Sequence, residues 1–503
     1  MLLRTRGAAT LADVPATLRD RASRREYDAI VVGAGPNGLA AALTLARAGL
    51  SVLVLEAAPE AGGGLRSAEL TLPGFLHDVC STIHPTALLS PFFASLGLDV
   101  RWLEPPIAVA HPLPEGGAAL LSRSLDDTAR GLGADGPAWR ALFAPLVERA
   151  TALMPALFAP PTPFTSSPLA MARFGLTALR GARPVWRGRF GGEAARALFA
   201  GCAAHGVLPL DAPGSAAFGL VLALGAHLVG WPLAGGGSRR IAEALVAKLG
   251  ALGGELVVDA PVTSLADLPP ARAILLDVSP GALARLGAGE LPRGYLDRLR
   301  AFRHGPGVFK LDWALDAPIP WREARVGQAG TVHLGGAADE LVLSERDAWN
   351  GRVSERPFVI LAQTSLFDPS RAPPGKHTAW AYCHVPPRWE GDATAAIEAQ
   401  VERYAPGFQD RILARASRGP ATLERYDANL VGGDIAGGAN TLGQVFARPR
   451  LFSPYATPSP RLYLCSASTP PGGGVHGMCG HHAARAALRR TFGRNVAPLP
   501  AMG

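Results

Sequence analysis

Between Asp28 and Glu56 the chain passes from strand-like to glycine-rich, then helical, then strand-like again, and that order leaves few folds open. Asp28-Ala-Ile-Val-Val32 is apolar enough for a buried strand, and Gly33-Ala-Gly-Pro-Asn-Gly38 follows at once. Leu39 to Gly49 carries the small and apolar residues of a packed helix, and Ser51-Val-Leu-Val-Leu55 returns as a second strand ending in Glu56. This predicts a βαβ unit of a parallel sheet. Gly33 permits the tight turn, Gly35 lets the backbone approach a phosphate, and Gly38 lets the helix lie close on the strand. Pro36 and Asn37 complete the loop, where the free N–H groups of the helix start and its dipole favour an anion. Glu56 lies 18 residues beyond Gly38, placed to accept from ribose hydroxyls and unfavourable to a 2′-phosphate. The ligand class is an ADP-containing dinucleotide, and NADP is a poor fit.

The rest of the chain bounds what such a unit serves. At 503 residues, with 48% hydrophobic and 18% charged residues, there is length for two or three packed domains, and wholesale disorder is excluded. The net charge of +8 comes from arginines scattered through a Gly- and Pro-rich sequence, with lysine only at Lys248, Lys310 and Lys376. No basic-aromatic stripe or finger motif accompanies it, so nucleic acid is not an expected partner. The five cysteines are dispersed and form no C-x-x-C pair, which argues against a dithiol centre, a disulfide framework or a cysteine zinc site and for a reducing compartment. Residues 1–26 hold six arginines without an apolar stretch, so they read as a flexible N-terminal arm and the expected location is cytoplasmic. The most apolar window, residues 216–234, approaches spanning length but contains His227, glycines and Pro232. It reads as a buried helix of a substrate domain, the alternative being a peripheral contact with the inner face of a membrane.

Downstream of Glu56, Ala57-Ala-Pro-Glu-Ala-Gly-Gly-Gly-Leu-Arg-Ser67 resembles the E-x5-GGR-x-x-S signature of FAD-containing amine oxidases and carotenoid desaturases. Gly62 and Gly63 take the glycine places and Ser67 the serine place, while Gly64 stands where the signature has arginine and Arg66 follows two residues later. Near the other end, Arg461 to Gly480 reads as a strand, a glycine-rich loop and the start of a helix. The resemblance implies that this segment, with Ser468, Gly474, Gly477 and Met478, returns to the dinucleotide domain and closes over the flavin. Backbone N–H groups at Gly477 and Met478 would then meet the flavin ring. Gly235 to Leu249, Gly253 to Val258 and Pro261-Val262 resemble the middle return of that domain, with Val262 at the adenine.

Together with Pro73 to Ser81, Gly305 to Leu315 and His377 to Val385, these segments resemble the phytoene desaturase-like flavoproteins, a family related in fold to the monoamine oxidases. The resemblance implies an α/β fold: a Rossmann-type FAD-binding domain of the glutathione reductase/amine oxidase type, with an inserted α+β substrate domain of mixed or antiparallel sheet plus helices. The FAD-binding domain is expected from residues 27–83, 231–294 and 451–495, and the substrate domain from 84–230 and 295–450. Within the latter, Val308 to Leu315, Phe358 to Leu366 and Thr378 to Val385 read as strands. Asp126 to Phe158 and Ala395 to Tyr404 read as helices. Trp313, Trp380, Tyr382 and the window 216–234 are candidate lining of an apolar tunnel.

The implied activity is dehydrogenation of C–C bonds in an apolar, polyene- or lipid-like small molecule, with hydride transfer to flavin N5 and a quinone or oxygen as electron acceptor. A flavin amine oxidase, a redox-neutral flavin isomerase and a lipid-binding chaperone on the same fold are the alternatives. Such chemistry also needs a group to take a proton. His476, inside the C-terminal loop, is the first candidate base, with hydrogen bonding to a loop carbonyl as its structural alternative. Lys310 is the second, because a strand lysine of the amine oxidases holds a water near the flavin. Tyr382, His384 and His84 follow, and His77 and Asp78 read as a packing and hydrogen-bonding pair. No metal is expected.

Overall fold

The computed structural model of the chain describes residues 26–160, 168–495 and 499. All of the expected N-terminal arm except Glu26 lies outside the described residues. Two sheets organise the rest. The strands of the first are β1 (Tyr27–Val32), β2 (Val52–Leu55), β9 (Glu255–Val257), β10 (Ala271–Leu276) and β16 (Leu462–Leu464), drawn from three separated stretches of chain. They lie in the order β16-β10-β1-β2-β9 and are wholly parallel. Near-continuous Val, Ile and Leu runs suit strands covered on both faces.

The second sheet has seven strands: β6 (Ile107–Pro112), β7 (Ala118–Leu121), β11 (Gly307–Leu315), β12 (Ala329–Leu334), β13 (Val359–Ala362), β14 (His377–Val385) and β15 (Ile412–Arg418). Their order is β15-β11-β14-β13-β12-β6-β7, antiparallel except where β12 pairs with β6. Two short ribbons complete the set, β3 (Ser67–Glu69) with β4 (Leu76–Asp78) and β5 (Trp102–Leu103) with β8 (Leu233–Ala234).

The core is layered. Leu311, Trp313 and Leu315 pack on the outer face of the mixed sheet. A central cluster joins that sheet's inner face, through Ile360, Ala362 and Trp380, to the helices and to Ala29, Val31 and Val54 of the parallel sheet. Ile30, Val32, Leu53 and Leu55 pack on the far side. Because strand side chains alternate faces, one β-strand feeds two of these layers.

Helices used below are α1 (Pro36–Arg47), α2 (Glu193–Ala204), α3 (Ser215–Val229), α4 (Arg239–Ala251), α5 (Ala338–Trp349), α6 (Pro420–Tyr426) and α7 (Met478–Arg490). Proline at the first turn of α1 costs no hydrogen bond, because that N–H has no intrahelical acceptor. α1 and α7 pack so closely that a Cβ on Gly480 would stand 1.8 Å from the Asn37 carbonyl oxygen.

Two expectations are corrected here. The strand expected over Phe358 to Leu366 stops at Ala362, because Thr364 and Ser365 turn to bond Thr378 and His377. The single helix expected over Asp126 to Phe158 is three helices, Leu125–Gly131, Gly136–Val147 and Ala150–Leu157. Between the first two, Asp135 turns to accept the N–H groups of Gly191 and Gly192. The apolar window becomes α3 and then β8. At 15 residues α3 is short of spanning length, and no helix among the described residues is long and apolar enough to cross a membrane.

Candidate functional site

The glycine loop forms a cradle whose shape follows from missing side chains. Gly33, at φ +100°, donates to Leu55 O at 2.8 Å, and a Cβ there would lie 2.9 Å from Asp277 O. A Cβ on Gly38 would lie 2.0 Å from Gly33 O, so turn and helix touch backbone to backbone. The loop through Gly62 and Gly63 crosses above, with Gly62 N bonded to Ala34 O at 2.8 Å and the Gly63 Cβ position 3.2 Å from Gly35 Cα. Asn37 Oδ1 is buried at the mouth of α1 without a protein partner. A backbone-lined hollow at a helix start fits a dinucleotide pyrophosphate, while the orphaned Asn37 acceptor is open to a ligand hydroxyl.

At the end of β2, Glu56 accepts from Ala34 N at 2.7 Å and Ala58 N at 2.9 Å, and Arg66 Nη2 lies 3.3 Å from it. Gly64 has only Cys80 beside its Cβ position, at 3.7 Å. Arg66, placed at the cofactor by resemblance, also bonds Glu60 O and stacks over the Tyr426 ring. Beyond β9, Ala260 N binds Glu56 O, and Val262 packs beside the far-side cluster. Ser67 differs from expectation. Its hydroxyl donates to Asp78 at 2.6 Å and accepts from Arg239 N, so its bonds tie β3 to β4 and to α4.

Four contributors escaped sequence reasoning. Asp277, just past β10, accepts from Gly38 N at 2.8 Å through Oδ2. Tyr426, at the end of α6, donates to Gly63 O at 3.1 Å, Asn429 Nδ2 donates to Asp277 O at 2.9 Å, and the Asp427 carboxylate is 3.5 Å from the Gly63 Cβ position. The last three come from a stretch expected to belong wholly to the substrate domain. The available signal was an acid directly ending the apolar run Ala273-Ile-Leu-Leu276, in the manner of Glu56 after β2.

The C-terminal segment meets α1 as expected, but its polar groups are committed internally. His476 Nε2 bonds Gly472 O at 3.2 Å, and its Nδ1 accepts from Met478 N at 3.0 Å. Burial lowers its pKa to about 4, so the ring is neutral with both nitrogens used. His476 therefore shapes the loop, which corrects its reading as a base, and Met478 N is not free for a flavin. Ser468, expected at the cofactor, donates its hydroxyl to Gly437 O at 2.8 Å. Gly474 and Gly477 hold φ of +129° and +67° in this turn, and a Cβ on Gly477 would meet Phe93 at 2.7 Å.

On the mixed sheet, strand alternation puts Lys310, Asp312, Trp380, Tyr382 and His384 on one face, with Lys310 opposite Tyr382 in the β11/β14 register. This face turns toward the cradle through β4, where His77 Nδ1 lies 3.5 Å from Asp312. Lys310 Nζ is held 2.5 Å from Asp312 Oδ1 and 5.5 Å above the Trp380 ring. Arg418 stands 3.8 Å from the second Asp312 oxygen. Trp313 points to the opposite face, where its Nε1 bonds Glu398, so it cannot line a tunnel on this side.

His384 Nδ1 lies 2.8 Å from Glu345 Oε2 of α5, and its Nε2 is buried without a partner. The Trp380 and Tyr382 rings are parallel within 9°, and Tyr382 adjoins His384 at 5.7 Å. Burial, helped by Glu345, drives the Tyr382 phenol well above its ordinary pKa. His84 lies apart, bonded through Nε2 to Ser238 at 2.8 Å, and burial lowers its pKa to about 4. Nearby, Arg371 joins Asp78 at 3.0 Å and Asp368 at 2.9 Å, an ion-paired hub that ties β4 to the segment between β13 and β14.

Comparison with known proteins places this geometry. Residues 31–96 match the model of an NAD(P)-binding Rossmann-like domain. Over 92% of this chain and 94% of the relative, the sequence is 27% identical to the mouse (Mus musculus) pyridine nucleotide-disulfide oxidoreductase domain-containing protein 2. A shorter stretch of 105 residues, 20% of this chain and 19% of the relative, is 33% identical to one of the subunits of limonene dehydrogenase from Castellaniella defragrans. In fold the chain is similar to cyclohexylamine oxidase from Brevibacterium oxydans, with a TM-score of 0.59 at 17% identity, covering 93% of this chain and all of that one. The chain thus has a Rossmann-like dinucleotide domain within an amine-oxidase-like α/β fold.

Proposed function

We propose that this chain is an FAD-dependent oxidoreductase of the phytoene desaturase-like kind, dehydrogenating C–C bonds of an apolar small molecule. The observation that carries the reading is the pairing of charges on the face opposite the cradle. Asp312 is paired with Lys310 and Arg418, and the Glu345 carboxylate is engaged by His384 Nδ1, which leaves neither carboxylate free to bind an alkylammonium. The same face offers the apolar flanks of Trp380 and Tyr382. A neutral, apolar substrate suits that surface better than an amine. The stretch shared with a limonene dehydrogenase supports the same direction.

Gly33, Gly35, Asn37, Gly38 and Glu56 would hold the dinucleotide, and Arg66 the region between its ribose and phosphates. Bound there, FAD supplies a two-electron acceptor for hydride. The chain supplies the proton acceptor. His384 fits that role best: with Nδ1–H donated to Glu345, Nε2 carries the lone pair, and the carboxylate stabilises the imidazolium formed when it takes a proton. Lys310, locked to Asp312, orders the sheet face instead. A quinone or oxygen completes the cycle by accepting the electrons.

Visible spectra of the purified chain, followed by anaerobic titration with polyenes, cyclic alkenes and amines, test this. The expected result is a flavin band bleached by apolar substrates and unchanged by amines. Bleaching by amines alone overturns the substrate class, and a chain that shows no flavin band even after added FAD overturns the cofactor.

A further inference from the structure

The cradle contains one acid that a phosphate-binding loop has no obvious use for. Asp277 follows directly on β10, and its backbone is pinned beside the turn: its N–H bonds Val32 O at 2.8 Å, and its C=O accepts from Asn429. Oδ2 reaches Gly38 N at 2.8 Å and comes to 3.0 Å from the Gly35 Cβ position, at the start of α1 where the pyrophosphate would lie.

The charged and titratable groups around it set its state. The carboxyl groups of Glu56 at the end of β2 and of Asp427 beyond α6 both act to raise its pKa, and burial raises that of Asp427 as well. Cys465 beyond β16 and Cys479 in α7 are in electrostatic contact from the other side, and burial keeps both thiols neutral, Cys479 at about 12. Arg66 is engaged with Glu56 and Asp427. Against this, the Gly38 N–H is the one group that favours the carboxylate, and burial first, then the two acids, raise the Asp277 pKa to about 8. An ionised Asp277 beside a pyrophosphate would add a like-charge repulsion.

We propose that Asp277 holds the dinucleotide pyrophosphate as a neutral carboxylic acid, donating its O–H to a phosphate oxygen, so that dinucleotide binding in alkaline solution takes up one proton from solvent. This rests on the FAD reading above. In the bound state Oδ2 keeps the Gly38 N–H, the acid proton bridges to the phosphate, and no other bond changes.

The test is calorimetric titration of the flavin-stripped full chain with FAD, and with ADP-ribose, which carries the same pyrophosphate without the flavin. Each is measured at pH 6.5 and 9 in two buffers of different ionisation heat. From a free-state value of about 8, both ligands should bind about tenfold more weakly at pH 9. Nearly one proton should be taken up per ligand at pH 9 and almost none at pH 6.5. Asp277→Asn, neutral at either pH and still able to accept from Gly38, should flatten the affinity profile and abolish the uptake. The wild-type proton count stands independently should that variant misfold. Binding that is equal at both pH values, without proton uptake, overturns the assignment and leaves the FAD reading intact. A pH effect on FAD alone moves the titrating group to the flavin end and overturns it too. If neither ligand binds at any pH, the cofactor reading falls and the assignment with it.

Discussion

Asp277 and Asp78 are both buried aspartates that accept a backbone N–H, yet the structure drives them to opposite charge states. Burial works against the carboxylate at each. At Asp78 the Arg371 guanidinium, with bonds from Ser67 and Ser238, overcomes that cost and holds the pKa below the ordinary value. At Asp277 no cation faces the group among the described residues, and Glu56 and Asp427 add to the penalty. The hub around Asp78 is a set of paired charges that ties β4 to the segment between β13 and β14. The cradle around Asp277 holds no such cation among the described residues, so similar local chemistry fixes a charge in one place and disfavours it in the other.

The comparison breaks most completely at Gly38. A methyl group in Gly38→Ala would stand 2.0 Å from Gly33 O, so the loop must open and flavin should be lost entirely from a chain that still folds. Flavin content after gel filtration measures this, with retention at the wild-type ratio as the contrary result. At the hub around Asp78, Arg371→Met strands Asp78 and Asp368, and should cost about 3–5 kcal/mol of stability. Denaturant midpoints read that, and a shift under about 1 kcal/mol would mean the hub is not carrying charge.

Next in size is the sheet face. His384→Gln should keep the flavin and slow its substrate-driven bleaching by about 10²–10⁴-fold, the range for loss of a general base. An unchanged rate would pass the role to another group. The last contrast is the dependence of stability on pH. The folded pKa of Asp277, about 8, lies above its unfolded value, so its contribution declines as pH rises from about 4 to 8 and is flat beyond. Asp78 has the opposite sign: its lowered folded pKa stabilises above the unfolded value, and this is lost as pH falls through the folded one. Melting temperatures of the flavin-free chain between pH 5 and 9 should therefore fall less for Asp277→Asn than for the wild type, and equal slopes would remove the contrast.

How far the sequence carried these assignments depended on how local their causes are. β1, the glycine turn, α1 and β2 were legible to within a few residues, because the strand and helix patterns are local and Gly38 answers to the Gly33 carbonyl five positions away. Glu56 was legible for the same reason. His476 was not. In sequence it is a histidine within a glycine-rich loop, and only the folded loop shows both nitrogens used by Gly472 and Met478. Trp313 and Trp380 look alike as strand aromatics, but the register of β11 against β14 sends them to opposite faces.

The sequence alone determined the parallel dinucleotide-binding unit and its taste for an ADP-like ligand, since turn geometry, helix start and terminal acid lie within one βαβ stretch. The tertiary structure decided the rest. It brought Asp277, Asp427 and Asn429 to the cradle and Glu345 to His384, pairs and clusters assembled across tens to hundreds of residues. Ionisation and proton affinity are set by burial and by neighbouring charge, and neither exists until the chain has folded.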